Sequence, residues 1–415
     1  MSQSCIITAL DVGTTKICAI IARVTDHQPE VLGVGVSPCA GLKKGIVTDI
    51  YETTAAIKDA VWQAEKISGI TAVSVYAGIT GEHITCLNSR SVIAINNPGG
   101  VITKDDIERL LESSRSIVIP PDREIVHIIP RSFTVDGQKH VKSPVGMHAS
   151  RLEVETHIVT GLSTLIQNVV KCVHQAGLTV DGVVLEPIAA AESVFLPAEK
   201  EIGAALVDIG GGTTDLVVYI SGEILFSAVI PLGGNHVTRD ISIGLRTDDI
   251  EAEKIKLDHG SVSAEDSESA SILKVQSIGC DQPRLLPGKI LTEIIEPRMY
   301  EICRFVLDQI ETAGYIDKIP AGIVFTGGGS MLPGFCELAS EMSGLPVRIG
   351  KPSGISGLED EMCKPMYSTA VGLVIYGSNH CREPVPEFPG SINIRRYYGR
   401  IRDYILEIYA KIRGD

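Results

Sequence analysis

Two aspartates each close an apolar run and are each followed by a turn of glycine and threonine. The first run is Leu10-Asp11-Val12-Gly13-Thr14-Thr15-Lys16 and the second is Val207-Asp208-Ile209-Gly210-Gly211-Gly212-Thr213-Thr214-Asp215, 197 positions on. A chain of phosphates is held by backbone N–H groups converging in such a turn, because only glycine lets the main chain approach so closely. The hydroxyls of Thr14, Thr15, Thr213 and Thr214 offer further donors, and Lys16 is a point charge able to reach a terminal phosphate. A carboxylate at a strand end suits Mg²⁺, which keeps most of its water shell, so Asp11 and Asp208 are the expected metal-holding pair. A third turn, Thr326-Gly327-Gly328-Gly329, and a buriable acid before a proline, Glu186-Pro187, complete the residues whose types could do chemistry. One such loop alone is an ordinary hairpin; two related ones and a third triple-glycine turn point to a nucleotide. No G-x-x-x-x-G-K-[ST] loop is present, which excludes the commonest alternative phosphate cradle.

The elements that must carry these residues follow from the flanking pattern. Each Asp-Gly-Thr turn joins two Val- and Ile-rich runs, which predicts two β-hairpins and hence two related halves. The third turn follows the apolar run 321–325 and leads into a helix over 335–342. Between the hairpins, 84–161 reads as a compact insertion, with a helix over 103–115 whose start carries Thr103 and Asp106 in capping positions. Residues 258–288 are polar and turn-rich, and 382–392 hold three prolines, a stiff linker.

Composition sets the limits. The 415 residues are 44% hydrophobic and 21% charged, enough for a large core without staples. The net charge of −14 disfavours nucleic acid as a partner. The opening residues lack a basic, cleavable leader, and no run of about 18 apolar residues occurs, so neither a secretory signal nor a membrane span is expected. Ten scattered cysteines without a C-x-x-C pair predict reduced thiols, no disulfide framework and no zinc site.

The last segment departs from the acidic body. Tyr397, Tyr398, Ile401, Tyr404, Ile405, Ile408, Tyr409 and Ile412 recur in steps of three and four, on one helical face. Residues 393–413 carry a net charge of +4, leaving −18 on the other 394 residues. Such a helix, roughly 31 Å long at about 1.5 Å per residue, lies in a headgroup plane, where four net charges add about 4 kcal/mol of attraction to anionic lipid. Docking on the protein's own body is the other use of this pattern.

The paired hairpins resemble those of the superfamily of actin, sugar kinases and heat-shock chaperone ATPases. That resemblance implies an α/β actin-like ATPase fold of two related halves around a nucleotide cleft, binding ATP and Mg²⁺. By resemblance Glu186 orients an attacking water and, with Asp208, is the catalytic pair; Gly327, Gly328 and Gly329 border the nucleoside. Residues 252–256 look like the superfamily's nucleoside-contacting helix, with Glu253 and Lys256 on one face, a spacing that an exposed charged face also uses. The helix of 368–373 looks like the second connecting helix.

Within the superfamily the chain resembles the FtsA family of bacterial cell-division proteins. The words carrying this are His127-Ile128-Ile129-Pro130-Arg131-Ser132-Phe133-Thr134-Val135-Asp136-Gly137, Pro144-Val145-Gly146-Met147, Arg151-Leu152-Glu153 and Glu296-Pro297-Arg298. The resemblance implies a first core subdomain of 1–83, 162–199 and 366–381, an inserted small α/β subdomain of 84–161, a second core subdomain of 200–230 and 303–365, an outer subdomain of 231–302, and a C-terminal amphipathic helix at 393–413 beyond the linker. It further implies self-assembly into filaments, other divisome partners, an FtsZ C-terminal peptide docked on the outer subdomain at Arg284 and Arg298, and a peripheral position on the cytoplasmic face of the membrane at the division site, with slow ATP hydrolysis at most. A pilus-type actin-like scaffold and a sugar-kinase-like phosphotransferase are the alternatives.

Overall fold

The two Asp-Gly-Thr segments fold as antiparallel hairpins, Ser4–Val12 with Lys16–Thr25 and Ala204–Ile209 with Thr214–Ile220, so that Asp11 faces Cys18 and Asp208 faces Asp215 across the strands. The computed structural model describes residues 4–26, 28–97, 99–263, 272–279 and 282–380; the predicted tail helix of 393–413 and its linker lie outside the described residues.

Each hairpin anchors a five-stranded sheet of the same design. In the first, Gln28–Pro38 extends the hairpin antiparallel on one side, while Ser74–Ile79 and Thr179–Leu185 are added in parallel on the other. In the second, Glu223–Ile230 is the antiparallel extension, and Ile323–Thr326 and Val347–Ile349 are the parallel additions. Helices cover both faces, so the central strands are apolar on both sides and read as continuous hydrophobic runs. Leu10, Ile17, Ala19 and Ile21 pack on the helix Ile50–Ser68, whereas Ala9, Cys18, Ile20 and Ala22 pack on the helix Ser368–Asn379. In the second half, Ala205, Val207 and Ile209 meet the long helix Lys289–Thr312, and Leu206 and Val217 face the helix Glu186–Val194.

Thr85–Ala94, Arg151–Leu162, Arg123–Val135 and Gln138–Val141 form the separate antiparallel sheet of the insertion, covered by the helix Lys104–Arg115. The predicted capping box is present: Thr103 accepts from the Asp106 backbone N–H at 3.3 Å and Asp106 accepts from the Thr103 N–H at 2.8 Å. The insertion touches both halves. His127 Nε2 accepts the Leu185 N–H at 3.0 Å, and His157, 1% exposed, bonds Ser227 Oγ through Nε2 and Asn88 Oδ1 through Nδ1, each at 2.8 Å.

Cys18, Cys39, Cys86, Cys172, Cys303, Cys336 and Cys363 are free thiols, but Cys5 is disulfide-bonded, which corrects the expectation of reduced cysteines at that position. No helix among the described residues is long and apolar enough to cross a membrane.

Candidate functional site

The turns of the two hairpins meet face to face because glycine occupies the points of contact. A Cβ on Gly211 would lie 2.5 Å from Thr15 Cγ2, and one on Gly212 would lie 2.7 Å from Thr14 Oγ1 and 2.9 Å from the Lys44 backbone. Hydrogen bonds lock each turn: Gly13 N–H to Lys16 O at 3.1 Å, Gly210 N–H to Thr213 O at 2.9 Å. The second turn is also bonded to the loop behind it, where Gly210 and Gly211 carbonyls accept from Gly234 and Asn235 at 2.9 and 2.8 Å.

Four carboxylates gather below the turns. Asp11, Asp208 and Asp215 come from the hairpins and Glu186 from the first turn of its helix, with Pro187 at a position that needs no N–H donor. All four are buried. Burial raises Asp11, with Lys16 pulling it back. Burial pushes Asp208 up to about 6, opposed by the hydroxyl of Thr369, which donates to Oδ2 at 2.8 Å. Asp215 is pushed up to about 7 by burial, opposed first by the Thr80 hydroxyl and raised again by Asp208; Thr213 donates to its other oxygen at 3.0 Å. Glu186 is held well above the ordinary carboxylate range, first by burial and then by Asp11, Asp215 and Asp208, and its Oε1 is buried without a hydrogen-bond partner. Four buried acids beside one lysine make a site short of positive charge, the condition that a cation relieves. No group of three or more His, Cys, Asp or Glu among the described residues is arranged to ligate a metal directly.

Other expected residues are placed differently from their sequence reading. Lys16 does not point freely into the cleft: its Nζ donates to the Met366 carbonyl at 2.6 Å and lies 5.0 Å from the centre of the Tyr367 ring. The Thr214 hydroxyl gives its one proton to the Leu232 carbonyl at 2.9 Å and is not a spare donor. Lys256 spends its ammonium on Gly234 O, Thr238 Oγ1 and Glu253 Oε2, at 3.2, 2.9 and 2.6 Å. It shares a helix face with Glu253 as expected, but it braces the loop behind the second turn. Gly327 has φ +83°, and a side chain there would run into Asp208 Oδ1 and Ile209 O, so the triple-glycine turn abuts the acidic cluster; Gly328 and Gly329 continue it as a 3₁₀ turn. Arg298 is paired with Asp240, Nε to Oδ2 at 2.6 Å, and with Glu301, so it is not the free cation that an anchor for an acidic peptide was expected to be. Arg284 donates to Ser277 Oγ and Leu245 O at 3.3 and 3.4 Å. Nothing in the sequence neighbourhoods of Thr80, Thr369 and the Met366-Tyr367 pair marks them as site residues, although Tyr367 and Thr369 lie in a segment that carries the family resemblance.

Two related halves joined through paired connecting helices, with glycine turns meeting over buried acids, define an actin-like ATPase fold carrying an inserted domain. Solved structures share that fold along most of the chain: a PilM-PilN type IV pilus biogenesis complex (TM-score 0.66, 17% identity, 91% of this chain and 99% of that one), the ethanolamine utilization protein EutJ of Carboxydothermus hydrogenoformans (0.53, 19%, 90% of each), and MreB5 of Spiroplasma citri bound to ADP (0.51, 16%, 89% and 95%). The family model for Cell division protein FtsA matches residues 205–372, that for the SHS2 domain inserted in FtsA matches 81–160, and curated relatives named Cell division protein FtsA are 42% identical in Pseudomonas aeruginosa (89% of each chain), 35% in Bacillus subtilis (92% and 86%) and 34% in Escherichia coli K12 (90% of each). The chain belongs to the FtsA family of cell-division proteins.

Proposed function

We propose that this chain is an ATP-binding, self-assembling cell-division protein that anchors the FtsZ ring to the inner face of the cytoplasmic membrane. The observation that carries the nucleotide part is the meeting of the two glycine turns above Asp11, Asp208, Asp215 and Glu186. The residues fit a magnesium nucleotide: the Gly13 and Gly210 N–H groups close their own turns, the side-chain-free turns let phosphate oxygens approach the remaining backbone donors, and the four buried acids have one lysine, Lys16, as their cationic neighbour among the described residues. Asp11 and Asp208 would hold Mg²⁺ through its waters, while Gly13, Thr14, Thr15, Lys16 and Gly210–Gly212 would hold the phosphates. Gly327–Gly329 would border the nucleoside, together with the helix of Glu253 and Lys256, which braces the loop behind the second turn. Mg²⁺ would supply charge neutralisation to ATP when bound; Glu186, whose carboxyl is held well above the ordinary range by burial first and then by Asp11, Asp215 and Asp208, would orient a water through its unpartnered buried Oε1. Breaking Lys16 from Met366 is a local change by which occupancy reaches the Ser368–Asn379 helix.

ATP binding measured by calorimetry should vanish in Asp208→Ala/Gly210→Val, and retained affinity would discard the site. The membrane role rests on the basic, amphipathic residues 393–413 beyond the proline linker, and FtsZ is the partner in keeping with the family. Full-length protein should float with anionic vesicles and a form ending at residue 391 should not. That comparison also separates this reading from a pilus-type scaffold without a lipid-binding segment.

A further inference from the structure

We infer that Thr80 sets the spacing of the two halves at the floor of the cleft by positioning Asp215, an assignment whose nucleotide consequence rests on the ATP-binding reading above. Thr80 follows the strand Ser74–Ile79 of the first half, and Asp215 lies in the strand Thr214–Ile220 of the second. They are 135 positions apart, both are buried, and the Thr80 hydroxyl donates to Asp215 Oδ1. A threonine has one hydroxyl proton, so this bond is its whole donor capacity.

The geometry separates the roles of the two hydroxyls on Asp215. Thr213, from the same turn, donates to Oδ2 and fixes the carboxylate locally. Thr80 comes from across the cleft and fixes the carboxylate relative to the other half. Its own backbone is held in turn: a Cβ on Gly45 would be 2.9 Å from the Thr80 carbonyl carbon and oxygen, and the Gly45 N–H donates to Thr14 Oγ1 at 3.2 Å. The donor thus sits against Gly45, which is bonded to the first glycine turn, and the acceptor belongs to the strand that leaves the second. Of the two side-chain hydrogen bonds that fix Asp215 among the described residues, the one from Thr80 is the one that comes from the first half. Thr80 is a positioning residue; it acts through Asp215.

The test compares wild type, Thr80→Val, Thr80→Ser, Asp215→Asn and the Thr80→Val/Asp215→Asn double variant of the full chain. Thr80→Val keeps the shape and removes the donor; the Mg·ATP dissociation constant should rise about ten-fold or more, the scale of a lost hydrogen bond to a charged acceptor. Thr80→Ser should restore it to within about two-fold, and Thr80→Val should add less than about two-fold in the Asp215→Asn background. Unchanged affinity in Thr80→Val, failure of serine to rescue, or a full additive loss in the double variant would each overturn the inference. Thr80→Ala replaces Thr80→Val if the valine does not fold. Melting of the nucleotide-free proteins supplies an arm independent of ATP: the two single substitutions should be non-additive there as well. Non-additive melting in a protein that binds no Mg·ATP overturns the functional reading and upholds the bond between the halves; additive melting overturns the bond.

Discussion

Gly372 packs directly on the carbonyl of Ala189, so closely that a methyl group on Gly372 would overlap the Ala189 oxygen. The contact joins the helices Ser368–Asn379 and Glu186–Val194, which lie between the two sheets. Nearby, Ser193 Oγ donates to the Ser368 carbonyl at 2.7 Å. Both helices carry a residue that serves the cleft, Thr369 against Asp208 and Glu186 itself, so their separation is part of the site.

Gly372→Ala therefore costs at least about 2 to 3 kcal/mol, because the obstacle is backbone and overpacking cannot be relieved by a rotamer change. Urea unfolding measures this; a change under about 0.5 kcal/mol would contradict the close packing.

Gly211→Ala has the opposite balance. Its new methyl meets a side chain and not backbone, Thr15 Cγ2 at 2.5 Å with Oγ1 at 3.4 Å; the β-branched threonine relieves this only in part, so stability falls by about 1 kcal/mol. The two turns are nevertheless pushed apart, and ATP affinity should drop about ten-fold or more in calorimetry, a larger relative effect on binding than on folding.

The raised acids make stability depend on pH with a defined sign. Asp208 and Asp215 have folded values of about 6 and about 7, above the value of about 3.9 in the unfolded chain. Their contribution to stability is fully present below about pH 3.9 and is lost as pH rises through 6 and 7. His83 and His157, lowered to about 4 chiefly by burial and then by Arg123 and Arg131 respectively, act in reverse. They contribute above about pH 6.5 and lose that contribution as pH falls toward 4. The melting temperature of the nucleotide-free wild type relative to Asp215→Asn should therefore fall as pH rises from about 4 to about 7 and level off above 7. A difference between wild type and Asp215→Asn that stays constant from about pH 4 to about 7 would refute the raised value of Asp215.

The insertion is held to the second half by His157 and Ser227, with Cys86 Sγ 2.9 Å from the same serine oxygen. Ser227→Ala leaves a buried imidazole nitrogen without its partner and should cost about 1 to 3 kcal/mol. Replacing both groups, as His157→Leu/Ser227→Val, should cost less than the sum of the single changes. Strict additivity in denaturant unfolding would show that the two do not interact.

Arg298 is occupied by Asp240 and Glu301, so an acidic FtsZ tail peptide using it as an anchor has to displace those carboxylates. Asp240→Asn should then tighten peptide binding several-fold by fluorescence anisotropy, with an increase that shrinks at high salt. Weaker or unaltered binding would assign the anchor elsewhere, with Arg284 the next residue to substitute.

Much of the site was legible because its parts are local. An apolar run, an aspartate and a glycine-threonine turn specify a hairpin within about twenty residues, and Asp11, Asp208 and Asp215 stand at the ends of those strands. Thr103 and Asp106 announced the insertion's helix through a cap spanning three positions. What the pattern misplaced were long side chains with several possible partners. Lys16 has a flexible stem, and its partner Met366 lies 350 positions away; Lys256 and Arg298 each take one helix neighbour three positions away, Glu253 and Glu301, but also Gly234, Thr238 and Asp240, which no spacing rule selects.

The linear order of residues thus determined the two related hairpins, the glycine turns, the capped helix and the partition of charge between an acidic body and a basic tail, because each depends on neighbours within a few turns of chain. Only the tertiary structure decided that Thr80 holds Asp215, that Thr369 holds Asp208 and that Glu186 is left with a buried oxygen unpartnered. Those outcomes depend on which groups share a volume without water. Desolvation and Coulomb energy act through space, and the chain brings together residues between 135 and 161 positions apart to make them.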